Sequence, residues 1–351
     1  MIFRQLFDPA SSTYTYLLAG GPGGEALLID PVLERVDLYL RLLRELELRL
    51  VKAVDTHIHA DHRTGLGALR DLTRCVTVMG ERSGADVVSM RVRDGDAIEV
   101  EGVRLGVLYT PGHSECSYSF VMADRVFTGD TLLIRGSGRT DLQGGDPYAA
   151  YASLFGTLLQ LPDETLVFPA HDYKGETSST IGEERAHNPR LQARDAEAFA
   201  EQMRALKLAD PALMDVAVPF NRRLAADQGA GAAWALAPAE ALALLGRADV
   251  LFVDLREASE RTRAGEIPGS LHAAYGDLDA LLSSHGLLRH AACAAARDTA
   301  PGAPRLLFYC AFGERSALAV AAARERGLGA VAHLVGGIEA WQRAGGPLAP
   351  A

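Results

Sequence analysis

Thr56-His57-Ile58-His59-Ala60-Asp61-His62 places three imidazoles and one carboxylate within seven residues of a 351-residue chain that has only ten histidines. Neutral imidazole and carboxylate are the preferred ligands of divalent first-row metals, and a loop at a strand end can point alternate residues at one ion. Outward from the cluster the same arrangement returns. VKAVDT before His57, VRLGVLYT before Pro111-Gly112-His113, RVFTGD before Thr131 and TLVFPA before His171 are short apolar runs that deliver polar residues at their C-terminal ends. Such runs read as strands whose loops build a site, with His113, Asp130 and His171 as the distant ligands. Taken singly, each histidine suits a surface or core position. The full set is too concentrated for that.

The stretches TYTYLLAG and ALLIDP suit strands, and the leucine and charge spacing from Val36 to Leu50 suits an amphipathic helix, so the first region is a layered α/β domain. At about 150 residues per domain, the length calls for two domains. Between Asn221 and Glu240 the chain reads NRRLAADQGAGAAWALAPAE, poor in apolar periodicity, which places a linker at 228–240 between domains at 1–227 and 241–351. In the second domain LFVDLRE and RLLFYC read as strands, and Ser316 to Gly327 as a helix with a glycine stop. The Ala- and Pro-rich segment from His290 to Pro304 reads as a surface insertion, with Cys293 incidental to function. No internal repeat stands out.

Hydrophobic residues make up 48% of the chain and charged residues 23%, ordinary values for packed globular protein. A formal charge of -10 gives no general reason to bind nucleic acid or an acidic membrane, so small molecules are the expected partners. Four scattered cysteines do not make a disulfide framework, and the N-terminus lacks a long apolar segment. The expected location is the cytoplasm.

HxHxDH, PGH, TGD and PAHDY together resemble the metallo-β-lactamase superfamily, from Met1 to about Asp227. The resemblance implies an αββα sandwich with a metal where the loops of two sheets meet. Two branches use these side chains: glyoxalase II, a dinuclear thioester hydrolase, and persulfide dioxygenase, with one ferrous ion. Every ligand of both is present, but TGDTLLIRGSGRTDLQGGD, PAHDYKG and EERAHNPRL resemble the persulfide dioxygenase family, apart from Ser137 where that family is expected to carry cysteine. The resemblance implies one Fe(II) per chain on His57, His113 and Asp130, a two-histidine, one-carboxylate set that leaves positions open for substrate and O2. His59, Asp61, His62 and His171 then orient ligands or water by hydrogen bonds. The implied substrate is glutathione persulfide, oxidised with O2 and water to sulfite and glutathione. Arg139, Asp141, Tyr173, Lys174, Arg185 and Asn188 lie in the family-like segments and could bind its charged ends. Loop salt bridges of Arg139 with Asp141, or Arg185 with Glu184, are the equal alternative. Cys116 reads as a packing thiol.

RLLFYC-AFGER-SALAV puts Cys310 at the end of a strand and the start of a helix, where backbone N–H groups and Arg315 favour a thiolate. With VDLREASERTRAGEIPGSLHA upstream and LVGGIEAWQRAGGPL downstream, the region from about Trp234 onward resembles the rhodanese family, a smaller α/β fold with a parallel sheet. The implied active loop is Cys310, Ala311, Phe312, Gly313, Glu314, Arg315 and Ser316. In it Cys310 would carry sulfane sulfur as a persulfide between thiosulfate and glutathione, while Arg315 holds the loop and the anionic donor. Asp254, Arg256 and His272 are expected to cap helices or form loop salt bridges. The two halves join a sulfurtransferase to a dioxygenase, with glutathione persulfide, glutathione, thiosulfate, sulfite and O2 as partners; a homodimer is compatible. The alternatives are a dinuclear zinc hydrolase of glutathione thioesters carrying the same second domain, and a non-catalytic sulfur carrier or sensor.

Overall fold

The computed structural model describes residues 1–86, 88–142, 144–223, 234–294 and 306–351. The chain forms two compact units, one drawn from residues 1–224 and the other built on residues 225–351. Part of the expected linker, most of the insertion at 290–304 and the side chain of Cys293 lie outside the described residues.

In the first unit, β1 (Ile2–Asp8), β2 (Thr13–Ala19) and β3 (Glu25–Ile29) run antiparallel, and β4 (Arg49–Val54), β5 (Val76–Gly80) and β6 (Met90–Val92) extend the sheet in parallel. All of β2 is buried, and β4 is buried beyond its first residue, which is why both read as dense apolar runs. The second sheet holds β7 (Ala97–Val100), β8 (Val103–Tyr109), β9 (Tyr118–Val121), β10 (Arg125–Gly129), β11 (Leu166–Pro169) and β12 (Ser179–Thr180). Aromatic rings join the sheets: Phe3 meets Phe168, and Tyr16 meets Phe127, each with centroids 4.9 Å apart. This is face-to-face packing of two sheets. The helices Pro147–Gly156 and Ala196–Arg204 cover the second sheet, packing Leu154, Phe199 and Met203 on Val126 and Val167. The αββα expectation therefore holds. The first helix differs from its expected span: it covers Val36–Glu45, because Glu47 turns the chain with φ +55° and Arg49 already opens β4.

The ends of β4, β8, β10 and β11 fall just before His57, His113, Asp130 and His171. Backbone bonds hold these ends together: Tyr118 N donates to Thr56 O (2.9 Å), Ala170 N to Gly129 O (2.9 Å) and Tyr14 N to Ala170 O (2.7 Å). Gly112 sits at φ +137°, and a side chain there would run into the backbone of Ala150. Only glycine lets the His113 loop lie against that helix.

The second unit is a parallel sheet ordered β13 (Ala235–Leu236), β17 (Val331–Leu334), β16 (Leu306–Tyr309), β14 (Leu251–Asp254) and β15 (Leu271–His272). β13 and the helix Pro238–Leu242 occupy residues expected as linker; the short segment is ordered by pairing with β17. Trp341 is fully buried against Phe252, and its indole N–H donates to Pro347 O (3.0 Å). Asp254 accepts two bonds from the Arg256 guanidinium and one from the Tyr309 hydroxyl (2.8 Å), all buried. This network ties β14 to β16, the structural kind of role the sequence suggested for Asp254 and Arg256. His272 Nε2 meets the Arg256 carbonyl at 2.9 Å.

Candidate metal centre and cysteine loop

His57, His113 and Asp130 each offer one ligand atom within 4.8 Å of the others, and so do His59, Asp61, His62 and His171. The hydrogen-bond partners fix which ring nitrogens face inward. Thr56 Oγ1 gives its proton to Asp30 (3.0 Å), so it accepts from His57 Nδ1 (3.0 Å). His113 Nδ1 lies 2.8 Å from the Arg139 carbonyl, which can only accept. Both rings therefore keep the Nε2 lone pair for a metal. His113 Nε2 lies 3.6 Å from Asp130 Oδ2.

The second group is knitted to itself. His171 Nδ1 faces Asp130 (2.6 Å) and its Nε2 faces Asp61 (2.9 Å). Asp61 also meets His62 Nδ1 (2.9 Å) and the Thr13 hydroxyl (3.1 Å), and His59 Nε2 meets Asp30 (3.1 Å). Burial pulls the His57 imidazole well below its ordinary pKa, with His59 adding repulsion. Burial opposes charge on His59 and His171 too, but Asp30 raises His59 to about 9, and Asp130 with Asp61 raises His171 well above its ordinary value. Burial would raise the Asp130 carboxyl, yet His171, His113 and His57 hold it well below the usual range. His59 Nδ1 and His62 Nε2 are buried with no hydrogen-bond partner among the described residues. Unpaired buried nitrogens beside a convergent imidazole and carboxylate set fit a bound cation.

Two residues that sequence reading passed over hold this cluster. Asp30 accepts from Thr56 N (2.7 Å) at the head of the histidine loop. Asn221, fully buried, donates to the carbonyls of His59 and His62 (2.9 Å each) and accepts from Thr64 N (2.8 Å). Neither has a local sequence signal, since each acts from a distant element.

A cavity of about 840 Å³ is lined by His113, Asp130 and His171 together with Arg139, Tyr173 and Lys174. The Tyr173 ring stacks on His171 with an interplanar angle of 3°. Arg139 pairs with Asp141 (2.6 Å), which is not among the lining residues, and donates to Ala209 O (2.6 Å). Arg185 and Asn188 are not brought to the cavity. Arg185 instead bonds Leu159 O (2.8 Å) and Asp163 (3.0 Å), not the Glu184 partner considered above, and Glu184 pairs with Arg135. Asn188 is fully buried and braces the loop at Leu133 and Gly136. Ser137 lines the cavity, its hydroxyl pointing to Met203 Sδ (3.7 Å). Cys116 is buried, and its sulfur accepts from Ile58 N (3.4 Å), consistent with packing.

In the second unit Gly313 N donates to Cys310 Sγ (3.1 Å) at the start of the helix Glu314–Glu325. The loop rests on the Gly336-Gly337 turn: Ile338 N donates to Cys310 O (2.9 Å), and any side chain at Gly337 would strike the carbonyls of Cys310 and Ala311. Arg315 is fully buried and forks onto Glu260 at 2.8 and 2.7 Å. Ser316 Oγ returns to Gly313 O (2.9 Å). Cys310, Gly313, Arg315 and Ser316 thus form one closed loop around the sulfur.

A two-sheet sandwich with a histidine and aspartate cluster at its loop ends defines a metal-binding protein of the metallo-β-lactamase type. The Metallo-beta-lactamase superfamily profile matches residues 8–87 and 79–171, and the Rhodanese-like domain profile matches residues 237–344. The persulfide dioxygenase ETHE1 of Bos taurus is 46% identical over 226 residues, which span 64% of this chain and 88% of that protein. The crystal structure of ETHE1 from Myxococcus xanthus is 51% identical, covers 63% of this chain and 98% of its own, and superposes with a TM-score of 0.62. A metallo-beta-lactamase structure from Staphylococcus aureus, 20% identical with a TM-score of 0.60, covers 96% of this chain and 98% of its own, a likeness of fold alone. The chain belongs to the persulfide dioxygenase family and carries a rhodanese-like domain besides. No helix among the described residues is long and apolar enough to cross a membrane.

Proposed function

We propose that the first unit is an iron(II)-dependent dioxygenase of glutathione persulfide and the second a sulfurtransferase working through Cys310. The carrying observation is that His57, His113 and Asp130 form a two-histidine, one-carboxylate set, of which His113 and Asp130 line the cavity, in a chain 46% identical over 226 residues to a persulfide dioxygenase. Held by these three, a ferrous ion would supply open coordination positions and the redox chemistry that joins persulfide sulfur to O2. The net reaction is GSSH + O2 + H2O → GSH + H2SO3.

The residues of the chain supply the frame. Thr56 and the Arg139 carbonyl fix the ligating rings of His57 and His113 in one tautomer. His171 clamps Asp130 from behind, and Asp61 with Thr13 clamps His171. In the second unit the Cys310 thiolate attacks the outer sulfur of thiosulfate. The S–S bond breaks, sulfite leaves with the electron pair, and Cys310 keeps the sulfur as a persulfide. Glutathione thiolate then takes that sulfur, forming GSSH and restoring the Cys310 thiolate.

The second convergent group, His59, Asp61, His62 and His171, favours the rival dinuclear hydrolase. Against it stands the 46% identity over 226 residues to the persulfide dioxygenase ETHE1 of Bos taurus. O2 uptake by anaerobically iron-reconstituted protein, supplied separately with GSSH and with thiosulfate plus glutathione, tests the proposal alongside a metal count. Uptake with both supplies at one iron per chain is expected. No uptake and two zinc ions per chain would replace it with the hydrolase.

A further inference from the structure

In β16 and β17 alternate side chains divide between the two faces of the sheet. Leu307, Tyr309, Ala332 and Leu334 pack into the core that holds Trp341. On the alternating positions Phe308 and His333 lie directly opposite each other, both buried. An imidazole in such a layer is costly unless a polar group meets it. His333 Nδ1 lies 3.5 Å from the hydroxyl of Ser316, a fully buried residue in the helix Glu314–Glu325.

That hydroxyl has one proton and two lone pairs. Around it stand Gly313 O at 2.9 Å, His333 Nδ1 at 3.5 Å and Cys310 Sγ at 3.8 Å. The carbonyl can only accept and is the nearest, so while Cys310 is a thiol the Ser316 proton goes to Gly313 O. The two lone pairs then take the Cys310 S–H and the His333 Nδ1–H, which sets the tautomer of His333. When Cys310 gives its proton to water, Sγ becomes an acceptor, already held by Gly313 N (3.1 Å). Ser316 meets the thiolate by turning its proton from Gly313 O to Sγ. The His333 N–H stays on the oxygen and polarises the O–H bond, which makes the hydroxyl a stronger donor.

The charged groups of the elements packed on the loop are Glu314 and Arg315 at the start of the helix, Glu260 paired with Arg315, and Asp254 paired with Arg256. A neutral substitution at His333 leaves all of these charges in place and isolates the hydroxyl. We infer that His333 is a positioning residue for Cys310, whose Nδ1–H orients the Ser316 hydroxyl so that its proton turns onto Sγ as the thiolate forms. The inference rests on the reading of Cys310 as the sulfur-carrying nucleophile, and it adds a residue 17 positions beyond Ser316.

The test is the pH profile of iodoacetamide alkylation at Cys310 in the two-domain protein, with Cys310→Ser as the baseline for the other cysteines. His333→Leu is expected to move the midpoint upward, with alkylation on the rising limb about twofold to tenfold slower and the plateau unchanged. His333→Asn, whose amide N–H can stand where Nδ1–H does, should stay near the parent profile. Ser316→Ala should shift the midpoint at least as far as H333L, and S316A/H333L no further than S316A. An unmoved midpoint in H333L, an H333N profile equal to that of H333L, or a further shift in the double variant overturns the inference. The imidazole 15N shifts of His333 in the parent protein give the tautomer whatever the stability of the variants: a protonated Nδ1 is expected, and a bare Nδ1 overturns the inference. Sulfur transfer from thiosulfate to glutathione is followed in parallel. Its absence from the parent, with the H333L shift present, would sink the sulfurtransferase reading and leave the positioning role standing.

Discussion

The metal-type cluster of the first unit and the cysteine loop of the second are built on opposite plans. The cluster draws on the ends of β4, β8, β10 and β11 and is braced by Thr13, Asp30 and Asn221 from three further elements. The cysteine loop runs from Cys310 to Ser316 without interruption, and its main outside supports are Glu260 and the Gly336-Gly337 turn. A cation has to be surrounded, which no single stretch of backbone can do, so its ligands come from separate strands. A sulfur anion needs donors on one side only, and the N–H groups at the start of a helix provide them. The first site should therefore respond to changes far along the sequence, and the second mainly to changes within its loop and at Glu260, the carboxylate that pairs with Arg315.

The largest expected effect is that of Asp130→Ala. It removes a ligand oxygen and the carboxylate that faces His171, so bound metal and O2 uptake with GSSH are both lost while sulfur transfer is kept. Metal analysis of the folded variant checks it, and full metal occupancy would take Asp130 off the ligand set. Cys310→Ser is the mirror case. Sulfur transfer from thiosulfate falls by at least about a thousandfold, as for loss of any nucleophile, and O2 uptake with GSSH stays unchanged. Loss of both activities in a folded protein would break the separation of the two sites.

Glu260→Gln sharpens the comparison from the other side. It leaves the buried Arg315 guanidinium without its carboxylate, at a cost of about 3–5 kcal/mol, seen as a lower denaturation midpoint for the second unit together with weaker sulfur transfer. An unchanged midpoint would mean that the pair does not support the loop. The smallest effect is that of Thr13→Val. Its hydroxyl contacts Asp61, His62 and His171 without being a ligand, and its loss should weaken metal affinity by about tenfold. Unaltered affinity in a chelator competition would show that the cluster is less collective than its hydrogen bonds suggest.

How much of this was legible beforehand differs between the two sites in the same way. The cysteine loop could be read almost whole because its parts adjoin in sequence. The histidine cluster could be recognised from the density of HxHxDH and the strand-end positions of His113, Asp130 and His171, but its braces could not. Asn221 lies 159 residues from His62 and carries no motif, yet its amide holds the carbonyls of both His59 and His62. Within the segment EERAHNPRL the sequence pointed to Arg185 and Asn188 by their place in a family-like stretch, which carries no information on where each side chain points. The fold turns Arg185 toward Asp163, buries Asn188 as a brace and leaves Arg190 to face the cavity. The helix expected to reach Leu50 stopped at Glu45 for a similar reason, since leucine spacing continues through a turn that only the positive φ of Glu47 reveals.

The sequence by itself determined the two α/β units, the strand ends at which polar residues gather, the histidine and aspartate cluster and the cysteine loop. Those features rest on local apolar periodicity and on short-range spacing, which a single stretch of chain carries. Tertiary structure alone decided which ring nitrogens of His57 and His113 are taken up by hydrogen bonds, that His171 is held between two carboxylates, and which arginine of that segment meets the cavity. Each of those depends on the direction of a side chain relative to partners on distant strands, and direction is set only when the sheets pack.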